Sequence, residues 1–202
     1  LYAIRDVAQF TVVDQDGAVS LRPGMFVTNS ADQIGEVLAV SADGMTVNVA
    51  PTSVNGFSVV SGDTIDICLS LRFLSGVGEF QPEDLATADT GWAGTYGYGE
   101  LRDGSYDAGN ANGVAVFYKP TTIADVSPGD TFTSAGNTME VELIQFDYVA
   151  GATTVDATST KSALATMWRS TDDGWERATT GRSIAFIKGL NDPEALPLIT
   201  DE

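Results

Sequence analysis

Apolar and polar residues alternate with a period of two along much of the chain, which is the pattern of half-buried β-strands. The clearest runs are residues 34–40, 45–49, 64–71 and 139–149. Asp43-Gly44 lies between the first two runs and is a pair typical of hairpin turns. Such runs, at roughly ten-residue spacing and separated by turn residues, predict an all-β fold made of sandwiches or small barrels.

A segment of different composition, residues 76–113, interrupts this pattern. It is rich in glycine and tyrosine, and its Pro82-Glu83-Asp84 predicts a single helical turn. Connections of this length inside a compact domain are usually functional, disordered, or ordered by a partner. The sequence therefore predicts two small β-sandwich or SH3-like barrel modules joined by a long Gly/Tyr-rich segment. The predicted boundaries are 1–75 for the N-terminal module, 76–113 for the connecting loop, 114–190 for the C-terminal module and 191–202 for an extended tail.

The two predicted modules share an order of signals. One series begins at Pro23-Gly24 and the other at Pro128-Gly129, about 105 residues further along. Each continues with a strand, an alternating strand, a glycine turn and another strand. Two interpretations stay open: a true internal duplication, or the chance recurrence of Pro-Gly turns, which are common in β proteins.

Composition excludes several classes of function. The 202 residues include 10 Lys and Arg and 28 Asp and Glu, which gives a net charge of −18. Such a chain repels phosphate backbones and anionic bilayers, so we expect no nucleic-acid partner and no membrane partner. The absence of histidine removes Ser-His-Asp nucleophile systems and imidazole metal sites. The single cysteine, Cys68, permits no intrachain disulfide and no thiolate zinc cluster. We expect no cofactor and no metal site.

Residues 103–110 place Asp, Ser and Asp at alternate positions, as loops that bind Ca²⁺ do. An EF-hand requires glycine at its sixth position and an acidic residue at its twelfth, where this chain has Ala108 and Val114. Ordinary turns use the same residue types. The segment is therefore not an EF-hand, and the turn is the favoured interpretation.

Glu79, Glu83 and Glu100 lie close in sequence to aromatic residues that could line a carbohydrate cleft. A glycoside hydrolase needs two carboxylates at a set separation, which sequence spacing does not give. Acidic residues are so frequent in this chain that chance pairs are expected. We therefore expect that the protein is not an enzyme, and carboxylate-dependent glycoside hydrolysis stays open as an alternative.

The aromatic residues of the Gly/Tyr-rich segment are the candidate partner contacts. Aromatic side chains offer a large contact area with few rotatable bonds, and neighbouring glycines allow close backbone approach. The four candidates are Trp92, Tyr96, Tyr98 and Tyr106. The competing interpretation is a mobile surface loop.

Several features of the chain occur together in one class of proteins. They are Thr-, Gly-, Ala- and Asp-rich β-modules, the turn Ser127-Pro-Gly-Asp-Thr-Phe132, the long glycine-rich excursion and the Pro-containing tail. In these features the chain resembles structural proteins of tailed-bacteriophage particles, such as capsid decoration or cement proteins and tail or head–tail joining proteins.

The resemblance implies a non-enzymatic component of a viral particle, located in the virion. It also implies contacts with other virion proteins or with further copies of the same chain in a homo-oligomer. The alternative is an exported or cell-surface β-module that binds a polysaccharide or a protein.

Overall fold

The protein is all-β, as the alternating pattern predicts. A computed structural model describes residues 7–13, 20–52 and 56–158 in full. Beyond these it describes the backbone of five short strands, which are β1 (Tyr2–Ala3), β14 (Leu164–Ala165), β15 (Trp168–Thr171), β16 (Gly174–Arg177) and β17 (Ile184–Ala185). β1, β15 and β16 form one small antiparallel sheet, and β14 pairs with β17.

Six antiparallel strands close into a first barrel. They are β2 (Ala8–Val12), β3 (Phe26–Thr28), β4 (Ile34–Val40), β5 (Thr46–Pro51), β6 (Thr64–Ile67) and β13 (Val149–Thr158). Around the barrel they follow the order β13-β2-β5-β4-β3-β6. Its interior is aliphatic, because the inward positions of these strands are mostly valine and isoleucine. The fully buried members include Phe10, Val27, Val37, Val47, Val49, Ile65 and Ile67.

Six more antiparallel strands close into a second barrel. They are β7 (Leu69–Val77), β8 (Leu85–Ala88), β9 (Ala93–Asp103), β10 (Asn112–Thr122), β11 (Thr131–Ser134) and β12 (Asn137–Phe146). Their order around the barrel is β10-β7-β12-β11-β8-β9. The interior of this barrel is aromatic, with Phe117 stacked on Phe132 at a ring-centroid distance of 4.5 Å. A short 3-10 turn, Tyr106–Ala108, lies between β9 and β10.

The second barrel is inserted into the first. The chain passes from β6 to β7 at Cys68 and returns to the first barrel only with β13. The predicted boundaries, 1–75 and 114–190, are therefore corrected. The first barrel takes its last strand from within the predicted C-terminal module, and the second begins inside the predicted N-terminal one. The predicted tail, 191–202, lies outside the described residues.

The predicted connecting loop, 76–113, is also corrected, because it contains the whole of β8 and β9. Glycine alternates with aromatic residues in β9 since the barrel interior holds large rings. A Cβ atom on Gly94 would lie 2.5 Å from the ring of Trp92, so only glycine fits there. Gly94 and Gly99, which suggested a loop, are thus strand positions where the side chains of Trp92 and Tyr96 fill the space.

The two barrels have the same topology. When the strands of each barrel are numbered one to six in chain order, both barrels run six, one, four, three, two, five around the wall. If strands one, two and three are renumbered four, five and six, and the reverse, the same set of neighbouring strands results. Each barrel is therefore built from two similar three-stranded halves, and the chain contains four such halves.

One turn is repeated in all four halves, before the second and the fifth strand of each barrel. Its third residue has positive φ, and its second is proline in three of the four copies, as in type II turns. The turn precedes the second strand of its half, and its third residue donates its amide proton to a carbonyl in the third strand of the same half. The N–O distance is 2.8 Å in every copy. These bonds are Gly24 to Val37, Gly62 to Val155, Glu83 to Tyr96 and Gly129 to Val141.

The repeat is visible in the sequence once these turns are matched. Residues 23–37 align with 82–96 without a gap, and residues 59–65 align with 126–132. The second pair shares Gly-Asp-Thr at corresponding positions. The signals at Pro23 and Pro128 are thus copies of one turn, but they precede different strands of their barrels. The Pro82-Glu83-Asp84 segment is a third copy and not a helical turn.

Candidate interaction surfaces

Trp92 and Tyr96 lie inside the second barrel, where they are 2% and 4% exposed. The Trp92 ring packs on Phe132 at 5.5 Å, and the Tyr96 ring packs edge-on against Phe80 at 5.5 Å. Burial raises the pKa of the Tyr96 hydroxyl. Rings enclosed in this way cannot contact a partner. The prediction that Trp92 and Tyr96 are partner contacts is therefore corrected: both are core residues.

Tyr98 and Tyr106 are half-buried and remain at the surface of the second barrel. The Tyr98 ring lies 5.6 Å from the ring of Phe26 in the first barrel, and its hydroxyl donates to Glu100 at 3.2 Å. The Tyr106 ring stacks on Phe73 at 6.4 Å. Burial raises the pKa of the Tyr106 hydroxyl. Tyr98 thus belongs to a contact between the two barrels, and a contact of either tyrosine with another protein stays a prediction.

The two barrels contact each other through a small apolar cluster. Its buried members are Phe26, Ile34 and Cys68 beside the first barrel and Val116 and Tyr118 on the second. Cys68 is fully buried, and this burial raises the pKa of its thiol. The two barrels of the chain thus pack on each other through outer surfaces of their sheets.

A glycine makes this contact close. A Cβ atom on Gly97 of β9 would lie 2.0 Å from Cδ1 of Ile34, so the isoleucine fills the space that the glycine leaves. An ion pair between Lys119 and Asp32 lies beside the cluster and joins the barrels. Both side chains of this pair are substantially exposed, so we assign little stability to it.

The contact between the barrels defines two sheet surfaces, and the shared topology gives each of them a counterpart on the other barrel. The inner A face is the outward side of β3 and β4, defined by Phe26, Thr28 and Ile34. The inner B face is the outward side of β9 and β10, defined by Gly97, Tyr98 and Val116. The outer A face, on the second barrel, is defined by Leu85, Thr87 and Ala93. The outer B face, on the first barrel, is defined by Leu38, Ala39 and Asn48, and Asn48 is only 8% exposed within the chain itself.

The outer A face is exposed and carries no charge. Leu85 is 58% exposed, and Thr87 is also exposed. These side chains point outward because the intervening Ala86 and Ala88 are buried in the barrel. Uncharged threonines lie beside them at the outward positions 95, 131 and 133. Asp89 and Glu140, which both neighbour Thr131, border this surface. The centre of this surface is uncharged, although the chain has a net charge of −18.

The acidic and amide side chains of residues 103–110 form hydrogen bonds within their own turn. In residues 103–110, Asp103 Oδ1 accepts the amide of Gly104, and Asn110 Oδ1 accepts the amide of Ser105, each at 2.8 Å. These oxygens therefore stabilise a turn. Within residues 7–13, 20–52 and 56–158, no group of three or more Asp, Glu, Cys or His side chains is placed to hold a metal ion.

Two of the aromatic residues considered for a carbohydrate cleft, Trp92 and Tyr96, lie in the core, and the third, Tyr98, is half-buried. In the same described ranges, no helix has the length and apolar character needed to cross a bilayer. No family model matches the chain, and comparisons with curated proteins and with solved structures found no match.

Proposed function

We propose that the protein is a non-enzymatic structural component of a viral particle, of the capsid decoration or tail and connector type, and that it acts through protein–protein contacts. The observation that carries this proposal is the outer A face, an exposed and uncharged sheet surface on a strongly acidic chain. Burying such a surface against protein removes no charge from water, so its desolvation cost is low. The sequence resemblance to virion proteins supports the same class.

The closure of both barrels supports contact through faces rather than through strand edges. Within the two barrels, every strand is paired on both sides. Neither barrel offers a free edge to which a neighbouring chain could add a strand. Assembly contacts of this part of the chain therefore use the outer surfaces of the sheets and the loops.

An exported module that binds a polysaccharide is less well supported by the described residues. Sugar-binding surfaces commonly present exposed aromatic rings. Here Trp92 and Tyr96 are buried, and Tyr98 faces the other barrel. A cell-surface module that binds a protein remains compatible with the outer A face, and the experiment below separates it from a virion component.

The test is density-gradient centrifugation of the native source, with detection of the protein by mass spectrometry in every fraction. A virion component is expected to sediment with intact particles and to remain there after a wash in high salt. Detection in the membrane or soluble fractions alone would overturn the proposal. A capsid protein of the same source serves as the positive control for particle recovery.

A further inference from the structure

We infer that the outer B face of the first barrel is the docking surface for the C-terminal segment of the same chain, defined as residues 159–190. This segment begins directly after β13, the last barrel strand, and ends where the predicted tail begins. The contact lies within the protein and is separate from the proposed function, which relies on the outer A face. Burial, strand pairing and charge support it.

The outer B face is covered, although its residues point away from the barrel interior. Val47 and Val49 are fully buried inside the first barrel, so the alternate residues Asn48 and Ala50 point outward. These outward residues are nevertheless only 8% and 5% exposed. In the part of the chain described in full, the strands that pack closely on β5 are β2 and β4, its neighbours in the barrel wall. The cover is therefore attributed to a part of the chain outside this wall.

The polar residues on this side of the sheet also have partners. Gln9 of β2 donates from Nε2 to Oδ1 of Asn48 at 3.0 Å, and Glu36 lies on β4 opposite Ala50. Gln9, Glu36 and Asn48 each take part in a further interaction within the chain. The outer A face differs, since its Leu85 is 58% exposed. Of the two outer faces, one is thus covered by the chain itself and the other is open.

Two strand pairings hold the C-terminal segment next to the covered face. Where the segment starts, Thr158 of β13 pairs with Phe10 of β2. Further along, β15 pairs with β1, with Trp168 opposite Ala3. β1 ends at Ala3 and β2 begins at Ala8, so the chain between them spans at most about 18 Å. β2 in turn pairs with β5, so the segment is held beside the strands that form the outer B face.

Charge makes the C-terminal segment the part of the chain that the acidic barrels attract. Residues 159–190 contain three of the 28 Asp and Glu residues but five of the 10 Lys and Arg residues, which are Lys161, Arg169, Arg177, Arg182 and Lys188. The rest of the chain carries the acidic excess, and surfaces of like charge repel one another. Glu36 lies at the border of the outer B face, so the first barrel is acidic there too.

The outer B face also suits the apolar residues of the segment. The residues that define this face are uncharged and include the small Ala39. The segment contributes Trp168 and Trp175, which lie on the paired strands β15 and β16. The inner B face is covered by Phe26 and Ile34, which are likewise large apolar residues of the same chain. Uncharged sheet surfaces of this kind are covered at low desolvation cost, because no charge leaves water.

The test compares how fast a cysteine on each outer face of the full chain reacts with a bulky maleimide. Asn48→Cys reports on the outer B face, and Leu85→Cys is the matched control on the outer A face. Cys68, the native thiol, is buried. We expect Asn48→Cys to react roughly tenfold more slowly than Leu85→Cys, because the reaction requires an accessible thiolate. Arg169→Glu with Arg177→Glu is expected to raise the Asn48→Cys rate several-fold and to leave the Leu85→Cys rate unchanged.

Three outcomes would overturn the inference. Equal rates at Asn48→Cys and Leu85→Cys would show that the outer B face is open. A slow Asn48→Cys reaction that the two charge reversals leave unchanged would show that the segment is not the cover. Protection that grows with protein concentration would assign the cover to a second copy. Because Asn48→Cys removes the acceptor of Gln9, Ala39→Cys serves as a second reporter, and its rate should also rise with the charge reversals. The gradient experiment tests the proposed function separately.

Discussion

The repeated turn makes a quantitative prediction about Gly129 and Glu83, which occupy the same turn position in two copies. Both residues have positive φ, +94° for Gly129 and +75° for Glu83. A side chain at Gly129 would meet nothing within 4 Å, so Gly129→Ala changes backbone strain without a clash. Gly129→Ala is expected to destabilise the fold, and Glu83→Gly is expected to stabilise it.

The magnitude follows from the backbone conformation. The left-handed conformation destabilises the folded state by roughly 1–2 kcal/mol for a residue other than glycine. Replacing glycine by alanine also lowers the conformational entropy of the unfolded chain, which offsets about 0.4–1 kcal/mol of this destabilisation. The net cost of Gly129→Ala is therefore about 1 kcal/mol, and Glu83→Gly gains about the same amount. For a chain of this length, 1 kcal/mol corresponds to a Tm change of roughly 2–4 °C.

Thermal unfolding followed by circular dichroism measures both changes. Glu83→Ala is the matched control, because it removes the carboxylate and keeps the strained backbone. We expect Tm to fall for Gly129→Ala, to rise for Glu83→Gly and to stay close to wild type for Glu83→Ala. If Glu83→Gly lowered Tm by as much as Gly129→Ala does, the equivalence of the two turns would be refuted.

Three further predictions concern the barrel contact and the buried groups. Gly97→Ala should destabilise the protein by about 1–3 kcal/mol through overpacking against Ile34, and Ile34→Ala in the same chain should recover part of this loss in denaturant unfolding. Cys68 should react with a thiol reagent only in denaturant, and fast labelling of the native protein would contradict its burial at the junction. Burial and the hydrogen bond to Asp66 raise the pKa of Tyr148 to about 12. The unfolded tyrosine releases its proton first, so unfolding measurements should show stability falling as pH rises from about 10 to about 12, and less steeply in Tyr148→Phe.

The strands could be predicted from sequence because alternation reports which face of a strand is buried. Ile65, Ile67, Leu69 and Leu71 show where this signal stops being informative. They form one uninterrupted alternating run, yet the first two line the first barrel and the last two line the second. The pattern is the same on both sides of Cys68, so periodicity cannot locate the passage between barrels. The insertion follows instead from which strands pair, and pairing is a long-range property.

The proposed interaction surface could not be predicted from residue type alone. Trp92 and Tyr96 are residue types typical of contact surfaces, but their rings fill the second barrel, where Gly94 leaves room for Trp92 and Gly99 for Tyr96. The actual exposed surface, around Leu85 and Thr87, contains no residue type that stands out. The signal that could have revealed the repeat was the shared Gly-Asp-Thr at 62–64 and 129–131, whose aspartates both accept a backbone amide within the turn.

The most direct test of the assembly role is the molar mass of the protein by light scattering, measured on the purified chain and on the particle fraction of its native source. The account predicts a mass above 21.2 kDa that rises with protein concentration, and recovery of the protein with particles. A mass of 21.2 kDa under every condition, together with no protein in the particle fraction, would contradict it.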